Sequence, residues 1–158
     1  MKNFEIVLPV EVRSFDELSE ADRRLADKAR AMTYHSYAPY SHFSVGAAIQ
    51  LSNGEIVTGS NQENAAYPSG TCAERTAAYW AHSQYPDAKF ETIAIAARDT
   101  SGKPTDEPTP PCGACRQALL EYETLAGHNV RVLLVGASKV YIVPSVSSLL
   151  PFSFSEFK

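Results

Sequence analysis

The chain of 158 residues has three cysteines, and their spacing constrains its fold more than any other feature. Cys72 opens the triplet Cys72-Ala73-Glu74, and the other two stand in Pro111-Cys112-Gly113-Ala114-Cys115. Three thiolates can hold a zinc ion and leave its fourth position open for water, and a carboxylate two residues from one ligand can carry that water's protons. For this to happen the fold must bring residues 72 and 112 to one point. Each falls at the predicted start of a helix, where backbone N–H groups and the helix dipole favour thiolate. Cys115 lies three residues past Cys112, about one helical turn, so its sulfur can point the same way. Two helix N-termini facing each other then present three sulfurs to one ion.

The ligand count separates two kinds of site. A structural zinc normally takes four protein ligands, whereas a catalytic one keeps a position for water. A fourth ligand here would be His35, His42, His82 or His128, and none stands in ligand-like spacing with the cysteines. Three thiolates leave the bare site negative, which weakens the metal's power to acidify water. Arg75 and Arg116, each adjacent to a ligand, are the candidates to correct this. Glu74 has a second reading, because Thr71-Cys72-Ala73-Glu74 fits the T-x-x-E capping box that closes a helix N-terminus.

The length suits one domain, expected to span residues 1–158, with enough chain to bury a core. A hydrophobic share of 44% with 20% charged residues fits a globular protein, and a net charge of −4 offers no field for a nucleic-acid backbone. A small ligand fits better than a polymer. Residues 1–11 lack the pattern of a secretory signal, and no membrane-spanning segment is visible. An odd number of cysteines with a C-x-x-C pair makes a poor disulfide framework. The expected compartment is the cytoplasm.

Ser19 can cap a helix running to about residue 36, with Leu18, Ala21, Leu25, Ala29 and Met32 on one face. Residues 43–51 and 55–60 read as strands joined by Asn53-Gly54, the strongest short hairpin signal. Residues 71–84 read as a second helix and 90–98 as a buried strand. Four prolines and a glycine make 99–111 a surface loop. Residues 112–122 read as a third helix, and 130–135 and 139–143 as strands joined by a turn too short for a helical crossover, hence antiparallel. Strands mixed with helices of this length suggest one sheet covered on both faces.

A C-x-E triplet followed by P-C-x-x-C is the arrangement of zinc deaminases, in its cysteine variant. The chain resembles the cytidine deaminases of the small, homotetrameric, three-cysteine class over about residues 25–154. Four blocks carry the resemblance: Tyr40-Ser41-His42-Phe43-Ser44-Val45-Gly46-Ala47-Ala48, Asn61-Gln62-Glu63-Asn64-Ala65, Cys72-Ala73-Glu74-Arg75-Thr76-Ala77, and Pro111-Cys112-Gly113-Ala114-Cys115-Arg116-Gln117. The resemblance implies a three-layer α/β/α fold with a mixed five-stranded sheet, preceded by an N-terminal extension over 1–16. It implies one zinc per chain held by Cys72, Cys112 and Cys115, with Glu74 as general acid and base. It implies a nucleoside pocket in which Asn61 and Glu63 hydrogen-bond the ribose 3′-hydroxyl, Phe43 packs on the pyrimidine, and Ala73 also contacts substrate. By the same likeness Arg75 hydrogen-bonds the ligand sulfurs. The ending Leu149-Leu150-Pro151-Phe152-Ser153-Phe154 resembles the family's L-L-P-x-x-F, so Phe154 is expected to reach a neighbouring subunit's active site in a homotetramer. The family's Gly-Pro after that phenylalanine is replaced by Ser155-Glu156.

The implied reaction is hydrolytic deamination of cytidine and 2′-deoxycytidine, with no nucleic-acid polymer and no membrane as partner. A deaminase of a cytosine-nucleoside antibiotic such as blasticidin S would share the metal site, but the nucleoside-family context of Asn61 and Glu63 argues against it. A non-catalytic zinc module would need a fourth protein ligand.

Overall fold

A computed structural model describes residues 1–156; the last two residues of the expected 1–158 domain lie outside the described residues. Six strands form one sheet: β1 (Glu11–Ser14), β2 (Ser44–Leu51), β3 (Ile56–Ser60), β4 (Phe90–Arg98), β5 (Arg131–Val135) and β6 (Lys139–Val143), in the order β1-β6-β5-β4-β2-β3. The expected five strands are all present, and the sixth is β1, which comes from within the 1–16 extension. It runs antiparallel to β6 with Val12 opposite Tyr141. All four of its side chains are exposed, so no apolar alternation marks it in the sequence, and pairing to the open edge of β6 is what makes it a strand.

Helix α1 (Glu20–Met32) starts where the Ser19 hydroxyl accepts the Asp22 N–H at 3.1 Å. It ends earlier than expected, passing into a 3-10 turn at Thr33–His35. Helices α2 (Ala73–Gln84) and α3 (Gly113–Ala126) follow. Alternation along the central strands sorts the layers. Ile93 and Ile95 of β4 and Val132 and Leu134 of β5 pack with Ala77, Ala81 and Leu119 of α2 and α3. On the other face Ala94, Ala96, Leu133 and Val135 pack with Leu25, Ala26 and Ala29 of α1. The small residues facing α1 let it lie close. An added Cβ at Gly46 would stand 2.2 Å from the Ala29 carbonyl oxygen, and one at Gly59 would stand 2.5 Å from the Ala77 nitrogen, so both glycines are required by close helix–sheet approach.

Strand β2 is antiparallel to both β3 and β4, so those two share a direction, and β5 is parallel to β4. Helices α2 and α3 are therefore the crossovers of two successive β-α-β units on one face of the sheet. Each starts beyond the carboxyl end of a strand, the edge where ligands collect in such sheets. The loop over 99–111 is pinned rather than loose: Thr105 N–H donates to Ala97 O at 3.1 Å, Ala137 N–H donates to Thr105 O at 2.8 Å, and Glu107 accepts from Lys139 and the Tyr141 hydroxyl. At the other end of the chain, the Phe4 and Phe152 rings meet edge-on at 6.3 Å. No helix among the described residues is long and apolar enough to cross a membrane.

Candidate metal centre

Cys72 and Cys112 are the cap residues of α2 and α3, both with extended backbone (φ −75°, ψ 158° and φ −66°, ψ 167°). Neither side chain makes a cap hydrogen bond, but both stand at helix starts whose free N–H groups favour negative charge. Cys115, fully buried, lies in the first turn of α3. The three Sγ atoms lie within 4.8 Å of one another, and Cys72 Sγ stands 3.8 Å from Cys112 Sγ. Two sulfurs each about 2.3 Å from a tetrahedral zinc are separated by about 3.8 Å, so this pair already has the spacing of zinc ligands. The predicted convergence of residues 72, 112 and 115 is present.

No histidine joins the cluster among the described residues. His82 lies against the Tyr122 ring and His128 bonds Glu91, so neither is a fourth ligand. Three soft sulfur donors this close together suit zinc and leave one position for a non-protein ligand.

Two arginines were candidates to offset the thiolates, and the structure distinguishes them. Arg75 Nη2 donates to Cys72 Sγ at 3.7 Å, and Arg75 Nε is buried without a hydrogen-bond partner, so its side chain is committed to the sulfur cluster. Arg116 turns away: Nε donates to Pro111 O at 2.9 Å and Nη1 to Leu149 O at 2.8 Å. Cys115, chiefly, and the Arg75 guanidinium hydrogen-bond Cys72 and pull its thiol down to about 5. The hydrogen bond to Cys72, with burial, pushes Cys115 up.

The capping-box reading of Glu74 does not hold. Helix α2 is capped by Cys72 rather than Thr71, with no side-chain cap hydrogen bond. Glu74 is instead 4% exposed, beside the cysteines. Burial pushes its carboxyl above the ordinary range, and the Cys72 charge adds to this, against the pull of its own backbone N–H, Cys115 and Arg75. A carboxyl raised above its ordinary range beside three cysteine sulfurs is suited to exchange protons.

Next to Cys72 and Arg75 opens a cleft of about 450 Å³, with Asn61, Glu63, Tyr40 and Tyr67 on its walls. Asn61 and Glu63 are both bound to the preceding loop. Asn61 Oδ1 accepts Val45 N–H at 2.8 Å and the Ser36 hydroxyl, while Nδ2 donates to Phe43 O at 2.9 Å. Glu63 accepts Tyr40 N–H at 2.9 Å, Ser41 N–H at 3.2 Å and the Ser41 hydroxyl, which holds its carboxyl below the usual range. Phe43 sits half-buried just before β2, and the Ala73 side chain is fully buried behind Cys72; neither lines the cleft. Phe154 is 62% exposed, and its carbonyl accepts Gln117 Nε2 at 2.7 Å. Reasoning from sequence missed Ser36, Ser41 and Gln117 as supports, since each partner lies more than twenty residues away and no local pattern announces it.

Comparison with known proteins agrees with this geometry. Residues 19–126 match the family model described as the cytidine and deoxycytidylate deaminase zinc-binding region. A cytidine deaminase of Halalkalibacterium halodurans is 39% identical over 120 residues, 76% of this chain and 83% of that one. One of Sporosarcina psychrophila is 36% identical over 137 residues, covering 87% and 93%. The crystal structure of cytidine deaminase from Burkholderia pseudomallei superposes with a TM-score of 0.71 at 34% identity, over 87% of this chain and all of that one.

Proposed function

The chain belongs to the cytidine and deoxycytidylate deaminase family, and from that premise we propose that it hydrolyses cytidine and 2′-deoxycytidine to uridine and 2′-deoxyuridine with release of ammonia. The observation that carries this reading is the buried Glu74 carboxyl beside three convergent cysteine sulfurs at two helix starts. Cys72, Cys112 and Cys115 hold one zinc per chain. The metal supplies a water whose pKa falls toward about 7.

Glu74 accepts a proton from the attacking water and delivers it to ring N3 as C4 becomes tetrahedral. It then collects the remaining hydroxyl proton and passes it to the exocyclic amine, which leaves as ammonia. Glu74 therefore alternates as base and acid, which requires it near the metal but not bound to it. Arg75 neutralises part of the thiolate charge. The ribose 3′-hydroxyl donates to the Glu63 carboxylate and accepts the remaining Asn61 Nδ2–H, the hydrogen-bonding capacity left after the two residues have fixed the 40–45 loop. By the family's pattern Phe43 packs on the pyrimidine and Ala73 contacts substrate, although neither lines the cleft of the single chain.

The rest of the reading has the same support in the family's pattern. Residues 1–158 act as one domain in a homotetramer, and Phe154, exposed on its own chain, reaches a neighbour's active site. The cysteines are free thiols, which suits a reducing cytoplasm. A competition assay with cytidine, 2′-deoxycytidine and blasticidin S, followed by ultraviolet absorbance, tests substrate class. Both nucleosides should turn over and the antibiotic should not; turnover of the antibiotic alone would overturn the reading.

A further inference from the structure

We propose that Arg116 is a positioning residue that holds the Cys112 segment and the C-terminal segment in one register, so that thiolate geometry and tail placement depend on each other. Its place beside Cys115 suggests a partner for sulfur, yet its hydrogen bonds go to main-chain carbonyls. Nε binds the carbonyl of Pro111, the peptide directly before Cys112, at 2.9 Å. Nη1 binds the carbonyl of Leu149, where the C-terminal segment leaves its last 3-10 turn, at 2.8 Å. A guanidinium is a planar fork, so two acceptors bound to it cannot move independently.

Two neighbours on α3 complete the grip. Glu123 accepts Val146 N–H at 2.7 Å and Ser147 N–H at 2.9 Å, at the start of that 3-10 turn. Gln117 donates to the carbonyl of Phe154 at 2.7 Å. The tail is thus held along α3 at three points, and Arg116 is the one that also reaches the ligand segment. Helix α3 carries Cys115 in its first turn and Cys112 as its cap, so the helix that bears two sulfurs also bears the tail. The inference rests on reading Cys112 as a zinc ligand and Phe154 as the residue that reaches a neighbouring site.

The test compares zinc-loaded wild type, Arg116→Lys, Arg116→Gln, Phe154→Ala and the double variant Arg116→Gln/Phe154→Ala. Zinc affinity is read by competition with a colorimetric chelator, and KM and kcat are read for cytidine. Arg116→Gln should bind zinc about 10–100-fold less tightly, as loss of an outer support to a ligand does. Arg116→Lys should fall between it and wild type, because a point charge serves one carbonyl at a time. Lys also carries the test should the Gln variant fail to fold. Arg116→Gln should raise KM, and adding Phe154→Ala should raise it little further, since the tail is already released. Wild-type zinc affinity in both Arg116 variants beside a defective Phe154→Ala would overturn the coupling alone. Fully multiplicative KM effects would overturn it too. A wild-type KM in Phe154→Ala would overturn the tail reading and the coupling together.

Discussion

At the scale of single residues, the site is built from groups that would each be costly elsewhere. A carboxyl at 4% exposure and three clustered thiols are poor choices for stability, and their assembly fits the proposed metal centre with its proton carrier. Replacing Cys112 with Ser should lower zinc content well below one per chain, measured by elemental analysis of dialysed protein. Beside its proposed contact with ribose, Asn61 bonds Val45, Phe43 and Ser36 and so shapes the loop above the cleft, which its place in the pattern does not disclose. Asn61→Ala should raise KM for cytidine by about tenfold or more, the equivalent of one or two lost hydrogen bonds, with kcat less affected. Cys72, Glu74, Cys112 and Cys115 were legible because metal chemistry demands those residue types at those spacings. The direction of Arg116 was not, since adjacency to Cys115 says nothing about where a long side chain ends. The hydroxyls of Ser36 and Ser41 were equally hidden, their partners being distant in sequence.

At the scale of elements, the two crossover helices set the distance between the cysteines. Gly59 on β3 lets α2 approach until an added Cβ would lie 2.5 Å from Ala77 N and 2.8 Å from Ala73 O. Both contacts are backbone and cannot yield as a flexible side chain would. Gly59→Ala should therefore displace the helix that carries Cys72 and Glu74, costing about 1–3 kcal/mol in urea unfolding and lowering kcat. Glu123 secures the far end of α3: its buried carboxylate accepts Val130 N–H at 2.9 Å as well as Val146 and Ser147. Glu123→Ala leaves those donors unpaired and should destabilise by about 3 kcal/mol, seen as a lower urea midpoint at unchanged slope. Five strands and three helices were legible from periodicity, the Asn53-Gly54 turn and Ser19. Strand β1 was not, because Glu11, Val12, Arg13 and Ser14 are all exposed and only the open edge of β6 recruits them. Helix α1 was read too long, since the 3-10 turn at Thr33–His35 continues its composition while changing its hydrogen bonding.

At the scale of the whole molecule, the topology explains why cysteines far apart in sequence meet. With β3, β4 and β5 running the same way, the helices between them start at one edge of the sheet. Cys72 and Cys112 stand at those two starts, and Cys115 one turn along α3 completes the set. The layers were legible from strand and helix patterning; the path of the extension and tail was not, as their contacts, such as Phe4 on Phe152, join opposite ends of the chain. Light scattering on the purified protein should give four times the chain mass, and a monomer that still turns over cytidine would contradict the proposed role of Phe154. The most direct test of the account measures zinc content and cytidine turnover in one sample of Glu74→Gln beside wild type. The account predicts one zinc per chain in both proteins and turnover reduced by about 10²-fold or more in the variant. Turnover comparable to wild type with zinc in place would contradict it.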